Sequence, residues 1–208
     1  LLDDEGQNSI VLATGANALL DLADIDRADS TIAQAKLLLC QLETPLASVL
    51  HAMASAKQAK LKVVLNPAPA QKLSDQILAQ VDYLVVNETE AALLSGLAVC
   101  DLATAQLAAA VLQQRGAGVV IVTLGAIGIW VAASDQAYSL PAFKVEVVDT
   151  TAAGDTFVGS FAVAIAEGMD LRAACMFAQS AAALAVTKLG AQTSIPYRQA
   201  VEQQLQNK

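Results

Sequence analysis

Short apolar runs separated by amphipathic stretches recur along most of the chain. Lys62-Val-Val-Leu-Asn66, Tyr83-Leu-Val-Val86 and Val119-Val-Ile-Val-Thr123 are continuous and rich in branched aliphatic residues, without the alternation of a half-exposed strand. They predict short parallel strands buried on both faces, and Leu37 to Gln41 reads the same way. Helical spacing fills the intervals, over Pro45 to Lys60, Ser74 to Gln80, Glu88 to Ser95, and Ala103 to Arg115 before a stop at Gly116. Regular alternation of this kind predicts an α/β fold, a mainly parallel sheet with helices on both faces. Beyond Thr123 the pattern changes. Ile127 to Ala133, Ala137 to Leu140 and Lys144 to Val148 predict a small antiparallel run, with the turn-prone pair Ser134-Asp135 between the first two. Three helices are expected to finish the chain: Ala153 to Glu167 ending at Gly168, one capped by Asp170 and running to Leu189, and one opened by Pro196. Asn8 to Thr14 reads as an isolated strand, and no repeat or linker marks a second domain.

A length of 208 residues suits one domain with a substantial core, and the 55% apolar content is mostly Ala, Val and Leu. The longest weakly charged stretch, Ala173 to Thr187, is shorter than the roughly 20 residues of a membrane span, so no membrane segment is expected. No secretory leader is read, and a chain opening on Leu1 in place of Met is expected to have lost its natural start. The net charge of −8 argues against nucleic acid or an anionic membrane as partner. It leaves a small phosphate ligand open, because local N–H groups, a helix dipole and cations hold such a ligand. Cys40, Cys100 and Cys175 lie far apart and form no CxxC pair, which predicts reduced thiols, mostly in the core, of a cytoplasmic protein. His51 is the only histidine and sits in a helical stretch with no metal cluster or triad to join. Surface or packing duty is its expected role, and a His-dependent hydrolase or His-ligated zinc enzyme is disfavoured.

The densest chemistry lies in Asp149-Thr-Thr-Ala-Ala-Gly-Asp-Thr-Phe157, where two carboxylates flank a small-residue turn leading into an apolar helix. Ala152, Ala153 and Gly154 carry so little side chain that the first N–H groups of the helix could approach an anion at its positive end. Asp155 could then accept a hydroxyl proton while those N–H groups stabilise a transferring phosphoryl group. On spacing alone, an Asp that merely caps the helix is an equal reading. Asn87 and Glu90 follow a buried strand, where the carboxyl edge of a parallel sheet opens onto a ligand crevice, though a helix cap would use the same residues. Thr123-Leu-Gly-Ala-Ile-Gly128 taken alone is more often a turn, and it is neither a Walker loop nor a GxGxxG fingerprint. Glu43 reads as a surface charge before a helix, and Asn66-Pro-Ala-Pro69 as a rigid turn at the crevice rim.

Together these segments resemble the ribokinase, or PfkB, family of carbohydrate kinases. Asp149 to Phe157 resembles its C-terminal signature, and Asn66 to Ala70, Asn87 to Ala91, Thr123 to Gly128 and Gly190-Ala-Gln-Thr-Ser194 match family segments in the same order. The resemblance covers essentially the whole chain and lacks about the N-terminal third of the family. It implies a ribokinase-like α/β fold in which residues 1–16 are the remnant of a β lid and residues 17–208 form a single nucleotide-binding and catalytic domain. It also implies an ATP-dependent kinase for the primary hydroxyl of a pentose, D-ribose first, with Mg²⁺ and K⁺. On this resemblance Asp155 is the base, and Ala152, Ala153 and Gly154 form the anion hole with it. Asn87 faces the ATP phosphates, Glu90 belongs to the water and Mg²⁺ network, and Thr123, Gly125, Gly128, Gly154 and Gln179 line the nucleotide. Glu43 and Asp155 meet the sugar, and Asp149, Thr151, Ala185, Lys188, Gly190 and Ser194 surround K⁺. The implied partners are sugar and ATP, with a homodimer where the lid is intact. A family kinase for another sugar and an inactive nucleotide-binding remnant both stay open, because the residues that usually grip the sugar belong to the absent third. The uncovered side of Leu37 to Gln41 is expected to be an association liability.

Overall fold

Each of the four apolar runs forms a strand in the computed structural model, which describes residues 13–206, although the first, Leu37 to Cys40, contains no buried residue and so departs from the burial expected of it. The strands are β1 (Leu37–Cys40), β2 (Lys62–Leu65), β3 (Tyr83–Val86), β4 (Val119–Thr123), β5 (Gly128–Ala132) and β6 (Ala137–Pro141). The helices are α1 (Leu22–Gln34), α2 (Leu46–Gln58), α3 (Asp75–Leu78), α4 (Glu88–Ser95), α5 (Leu102–Gln114), α6 (Ala153–Ala166), α7 (Leu171–Ala185) and α8 (Arg198–Gln206). Among the described residues the strands form one sheet in the order β1-β2-β3-β4-β5-β6. Strands β1 to β4 are parallel, with Leu38 beside Val63 and Leu84 beside Val120, while β5 and β6 are antiparallel.

Alternation along each strand divides the interior into two cores. Val63, Leu65, Leu84, Val86, Val120 and Val122 point to one face and pack with α2, α4 and α5. Val64, Val85, Ile121, Ile129 and Val131 point to the other and pack with α6, α7 and α8, where Tyr83 meets Phe161 edge-on at 5.4 Å. Burial on both faces is why these runs carry no polar alternation.

The direction of α7 identifies the functional edge of the sheet. Arg172 near its start stacks over Tyr138 at the start of β6, whereas Gln179 further on donates to the carbonyls of Leu140 and Pro141 at the end of β6. Helix α7 therefore runs toward the edge at which β1 to β4 end. Val186, just past that helix, accepts from the N–H groups of Val148 and Asp149 and brings the start of α6 to the same edge.

Several expectations are corrected. Lys144 to Val148 is not a strand: β6 ends at Pro141, and Val147 and Val148 lie exposed on the path back to Val186. The antiparallel strands extend the main sheet through β4 and form no separate unit. Helix α7 stops at Ala185, where the β-branched pair Val186-Thr187 begins a turn closed by the Thr187 hydroxyl donating to Leu184. Helix α1 was not expected. Its apolar spacing is sparse and none of its residues is buried, and it is defined by a reciprocal cap between Asp21 and Asp24 and by packing on α2. His51 serves the surface role expected of it, 2.6 Å from Asp26 across α1 and α2. Of the thiols only Cys175 is in the core, and Cys100 is exposed. Most of the expected strand Asn8 to Thr14 lies outside the described residues, and Ala13 and Thr14 carry no regular structure. Strand β1 is an edge of the described sheet, with Leu39 40% exposed. No described helix is long and apolar enough to cross a membrane.

At the opposite edge Asp82 ties three elements together, accepting from Lys57 of α2, from Lys62 at 3.1 Å and from the Val63 N–H at 2.8 Å. Burial opposes ionisation of Asp82, but these hydrogen bonds prevail and hold its carboxyl below the usual Asp range. A depressed folded value stabilises the fold above the unfolded pKa and is lost as pH falls through the folded one. Asp82→Asn is therefore expected to lower stability in urea unfolding at pH 7, with the difference from the parent shrinking below about pH 4. An equal difference at pH 7 and pH 3 would contradict this assignment.

Candidate active site

Polar residues of the candidate site stand just past the carboxyl ends of the parallel strands. Asn66 follows β2, Asn87 follows β3, the loop Leu124 to Ile127 follows β4, and Glu43 stands beyond β1, all at one edge of the sheet.

Asn87 and Glu90 form a reciprocal cap on α4. The Asn87 side chain accepts from the Glu90 N–H at 2.9 Å, and Glu90 accepts from the Asn87 N–H at 3.0 Å and from its side-chain amide at 3.1 Å. A third donor is the Asn66 amide, 3.3 Å from the same carboxylate. Glu90 is only 5% exposed, and burial pushes its carboxyl above the usual Glu range against these hydrogen bonds. All of its donors are neutral. A buried carboxylate held by amides alone keeps an uncompensated charge, which suits a hydrated divalent cation carried in with phosphate oxygens. The cap and the crevice residue are thus the same pair, so the two readings of the sequence do not compete.

The β4 to β5 loop lies beside them, with the Thr123 hydroxyl 3.3 Å from the Val86 carbonyl. Gly128 has φ +119°, and a Cβ there would stand 2.1 Å from the Leu140 carbonyl oxygen. Gln179, buried in α7, donates to that same carbonyl at 3.4 Å, so Gly128 and Gln179 belong to one locality. Gly125, with φ +50°, leaves open space on its Cβ side.

Helix α6 starts without a side-chain cap. Ala152, its N-cap, is left-handed at φ +59° and ψ +13°, a conformation in which a non-glycine residue is strained. The Ala153 N–H closes a turn onto Thr150, but those of Gly154 and Asp155 find no acceptor among the described residues. Asp155 lies in the first turn with its side chain exposed, and Ala152 occupies the cap position, which removes the capping reading. The loop before the helix is fixed by Asp149. One carboxylate oxygen accepts from the Thr151 N–H at 2.9 Å and the other from the Gly190 N–H at 2.9 Å. Hydrogen bonding from Thr151, then from Gly190, holds the Asp149 carboxyl below the usual Asp range.

The expected cation residues are gathered in part. Asp149, Thr151 and Gly190 share hydrogen bonds, and the Lys188 N–H closes the end of α7 onto the Ala185 carbonyl at 3.2 Å. Ser194 is buried and bonds to Ala191 in the same turn region. One carboxylate, peptide carbonyls and a hydroxyl are oxygen donors of low total charge, a chemistry compatible with a monovalent cation, but no hydrogen bond among the described residues joins Ser194 to Asp149. Among the described residues no group of three or more His, Cys, Asp or Glu could hold a metal. Glu43 is exposed and meets no other site residue, although its loop is joined to the Asn66 turn by the Leu42 N–H donating to Ala68 at 2.8 Å. Sequence reasoning gave Asn66 only a turn role and missed its bond to Glu90. A polar residue closing a buried apolar strand is the signal that points to it.

The sheet, mainly parallel and covered on both faces, is an α/β fold of the ribokinase-like class, as its match to solved ribokinase structures shows. The chain belongs to the pfkB family of carbohydrate kinases, whose family model matches residues 1–198. It is 48% identical over 193 residues to the ribokinase of Haemophilus influenzae, covering 93% of this chain and 63% of that protein. It is 40% identical to the deoxyribokinase of Salmonella typhi, covering 91% and 62%. The structure of Arabidopsis thaliana ribokinase complexed with ribose and ATP matches with a TM-score of 0.91 at 31% identity, over 98% of this chain and 67% of that one. The chain thus spans less than two thirds of the length of these two curated relatives.

Two glycines of the candidate site differ in the space around them. Gly128→Ala is expected to lower the melting temperature sharply, because the new methyl meets fixed backbone. Gly154→Ala meets nothing within 4 Å and should leave the melting temperature unchanged or slightly raised. Comparable losses in the two variants by thermal unfolding would defeat the distinction.

Proposed function

We propose that this chain is the nucleotide-binding and catalytic part of an ATP-dependent kinase that phosphorylates the primary hydroxyl of a pentose, D-ribose in the first instance. The observation that carries the reading is the start of α6, where two N–H groups without acceptors among the described residues stand beside the exposed Asp155 carboxylate. Asp155 takes the proton of the sugar hydroxyl, whose oxygen attacks the γ-phosphorus in line as ADP leaves. The free N–H groups of Gly154 and Asp155, at the end of the Ala152 to Asp155 turn, stabilise the charge on the transferring group, the Ala153 N–H being held by Thr150.

Asn87 and Thr123 face the phosphates, Gly125, Gly128 and Gln179 line the nucleotide, and Glu43 receives a sugar hydroxyl. Glu90 orients the hydrated Mg²⁺, which neutralises charge on the phosphate oxygens when bound. Asp149, Thr151 and Ser194, with the carbonyls of Ala185, Lys188 and Gly190, hold K⁺ and thereby order the loop that carries the N–H groups. In this reading residues 1–16 belong to a lid over the sugar, residues 17–208 are one domain, two copies pair through a complete lid, and the compartment is the cytoplasm. The identity with ribokinases supports ribose, and the Salmonella deoxyribokinase makes 2-deoxyribose the sugar to test beside it.

Asp155→Asn is expected to lower sugar-dependent ADP release by about 10²- to 10⁴-fold with the melting temperature unchanged. Retained turnover would remove Asp155 as the base. ADP binding by the parent without turnover, in the presence of either pentose, would instead favour a nucleotide-binding remnant. Replacing K⁺ by choline at fixed ionic strength is expected to slow turnover, and an unchanged rate would remove the monovalent ion from the reading.

A further inference from the structure

Asn66 is bonded on every side. Its N–H donates to the Cys40 carbonyl of β1 at 2.9 Å, and its carbonyl accepts from the Ala68 N–H at 2.8 Å. Its side-chain amide spans to the next strand, 3.0 Å from the Val85 carbonyl and 3.3 Å from the Glu90 carboxylate. Both neighbours are acceptors only, so the amide nitrogen has to face them and each of its hydrogens has a fixed task. The same turn binds Leu42, next to Glu43, through the Ala68 carbonyl.

We infer that Asn66 is a positioning residue for the Glu90 carboxylate, holding it toward the magnesium-bearing phosphates and linking that end of the crevice to the Glu43 loop. The inference rests on the proposed role of Glu90 in nucleotide binding. The two nearest alternatives in size or simplicity fit worse. Asp has the shape but cannot donate when ionised, and it would set a second negative charge against a buried one. Ala leaves both the Val85 carbonyl and Glu90 short of a donor. Asn87 supplies the other two bonds from the chain that Glu90 itself caps, so only Asn66 fixes the carboxylate from a separate strand.

The test is the affinity for ADP measured by calorimetry with saturating Mg²⁺ and with EDTA, for the parent, Asn66→Ala, Asn66→Asp, Glu90→Gln and the two double variants. Loss of a hydrogen bond to a charged group predicts about tenfold weaker binding of MgADP by Asn66→Ala, and more for Asn66→Asp. ADP binding in EDTA should stay within about twofold, a selectivity that a general loosening of the fold would not give. In the Glu90→Gln background the Asn66 substitutions should add no further loss. Independent, additive losses would overturn the positioning role while leaving Glu90 in place. No effect of Glu90→Gln on MgADP would overturn the role of Glu90 and the inference together. If Asn66→Ala fails to fold by circular dichroism, the near-isosteric Asn66→Asp decides by the same comparison. Pairing Asn66→Asp with Glu90→Gln restores a donor and an acceptor with the charge moved. Recovery of MgADP affinity in that pair would mean the contact is structural only.

Discussion

Burial of the central strands on both faces is the constraint on which the rest of this molecule depends. Val63 to Leu65, Leu84 to Val86 and Val120 to Val122 are almost wholly excluded from water, so no polar side chain can be placed along them without an internal partner. Polar chemistry is confined to the strand ends, and parallel strands bring those ends to one edge. Asn66, Asn87 and the Thr123 to Gly128 loop are neighbours for this reason, although they are far apart in sequence.

The helix N-terminus needs a different device, because α6 is reached by a long irregular path from β6. Asp149 supplies it. Its two carboxylate oxygens bind N–H groups from Thr151 and Gly190, and Val186 accepts from Val148 and Asp149, so the loop before α6 is fastened to the end of α7. Ala152 adopts a left-handed backbone within that loop, at a cost of order 1 kcal/mol that the surrounding bonds must offset. The gain is geometric. No side chain caps the helix, and the N–H groups of Gly154 and Asp155 meet no acceptor among the described residues.

The sequence disclosed the parallel strands and most helices because each carries a periodic or continuous apolar signal. It also disclosed the local cap of Asn87 with Glu90, whereas Asp149 and Thr151 were brought together only through the family resemblance. What it concealed is instructive. Helix α1 buries nothing, so its pattern is set by Asp21 and Asp24 and not by a core. Lys144 to Val148 alternates like a strand, yet β6 ends at a proline and the chain is recruited by Val186 instead. The contact of Asn66 with Glu90 joins the ends of neighbouring strands; a polar residue closing a buried run marks Asn66, but the sheet order is needed to supply its partner. Gly128 looked like an ordinary turn glycine until the Leu140 carbonyl was found where its side chain would be.

In a chain with a net charge of −8, how the carboxylates nearest a polyphosphate are held matters locally. Asp149 is engaged by two N–H donors, whereas Glu90, buried among three neutral amide donors, keeps a charge that suits an anion brought in with a cation. Asp155 is different, being exposed in the same first turn as the free N–H groups. In the proposed reaction its negative charge opposes the phosphate until it accepts the hydroxyl proton. That transfer neutralises Asp155 as negative charge builds on the oxygens facing the helix, so repulsion falls when stabilisation is most needed. Proton acceptance and phosphoryl transfer are in this way coupled through one turn of helix, and the coupling depends on Asp155 having no hydrogen-bond partner of its own among the described residues.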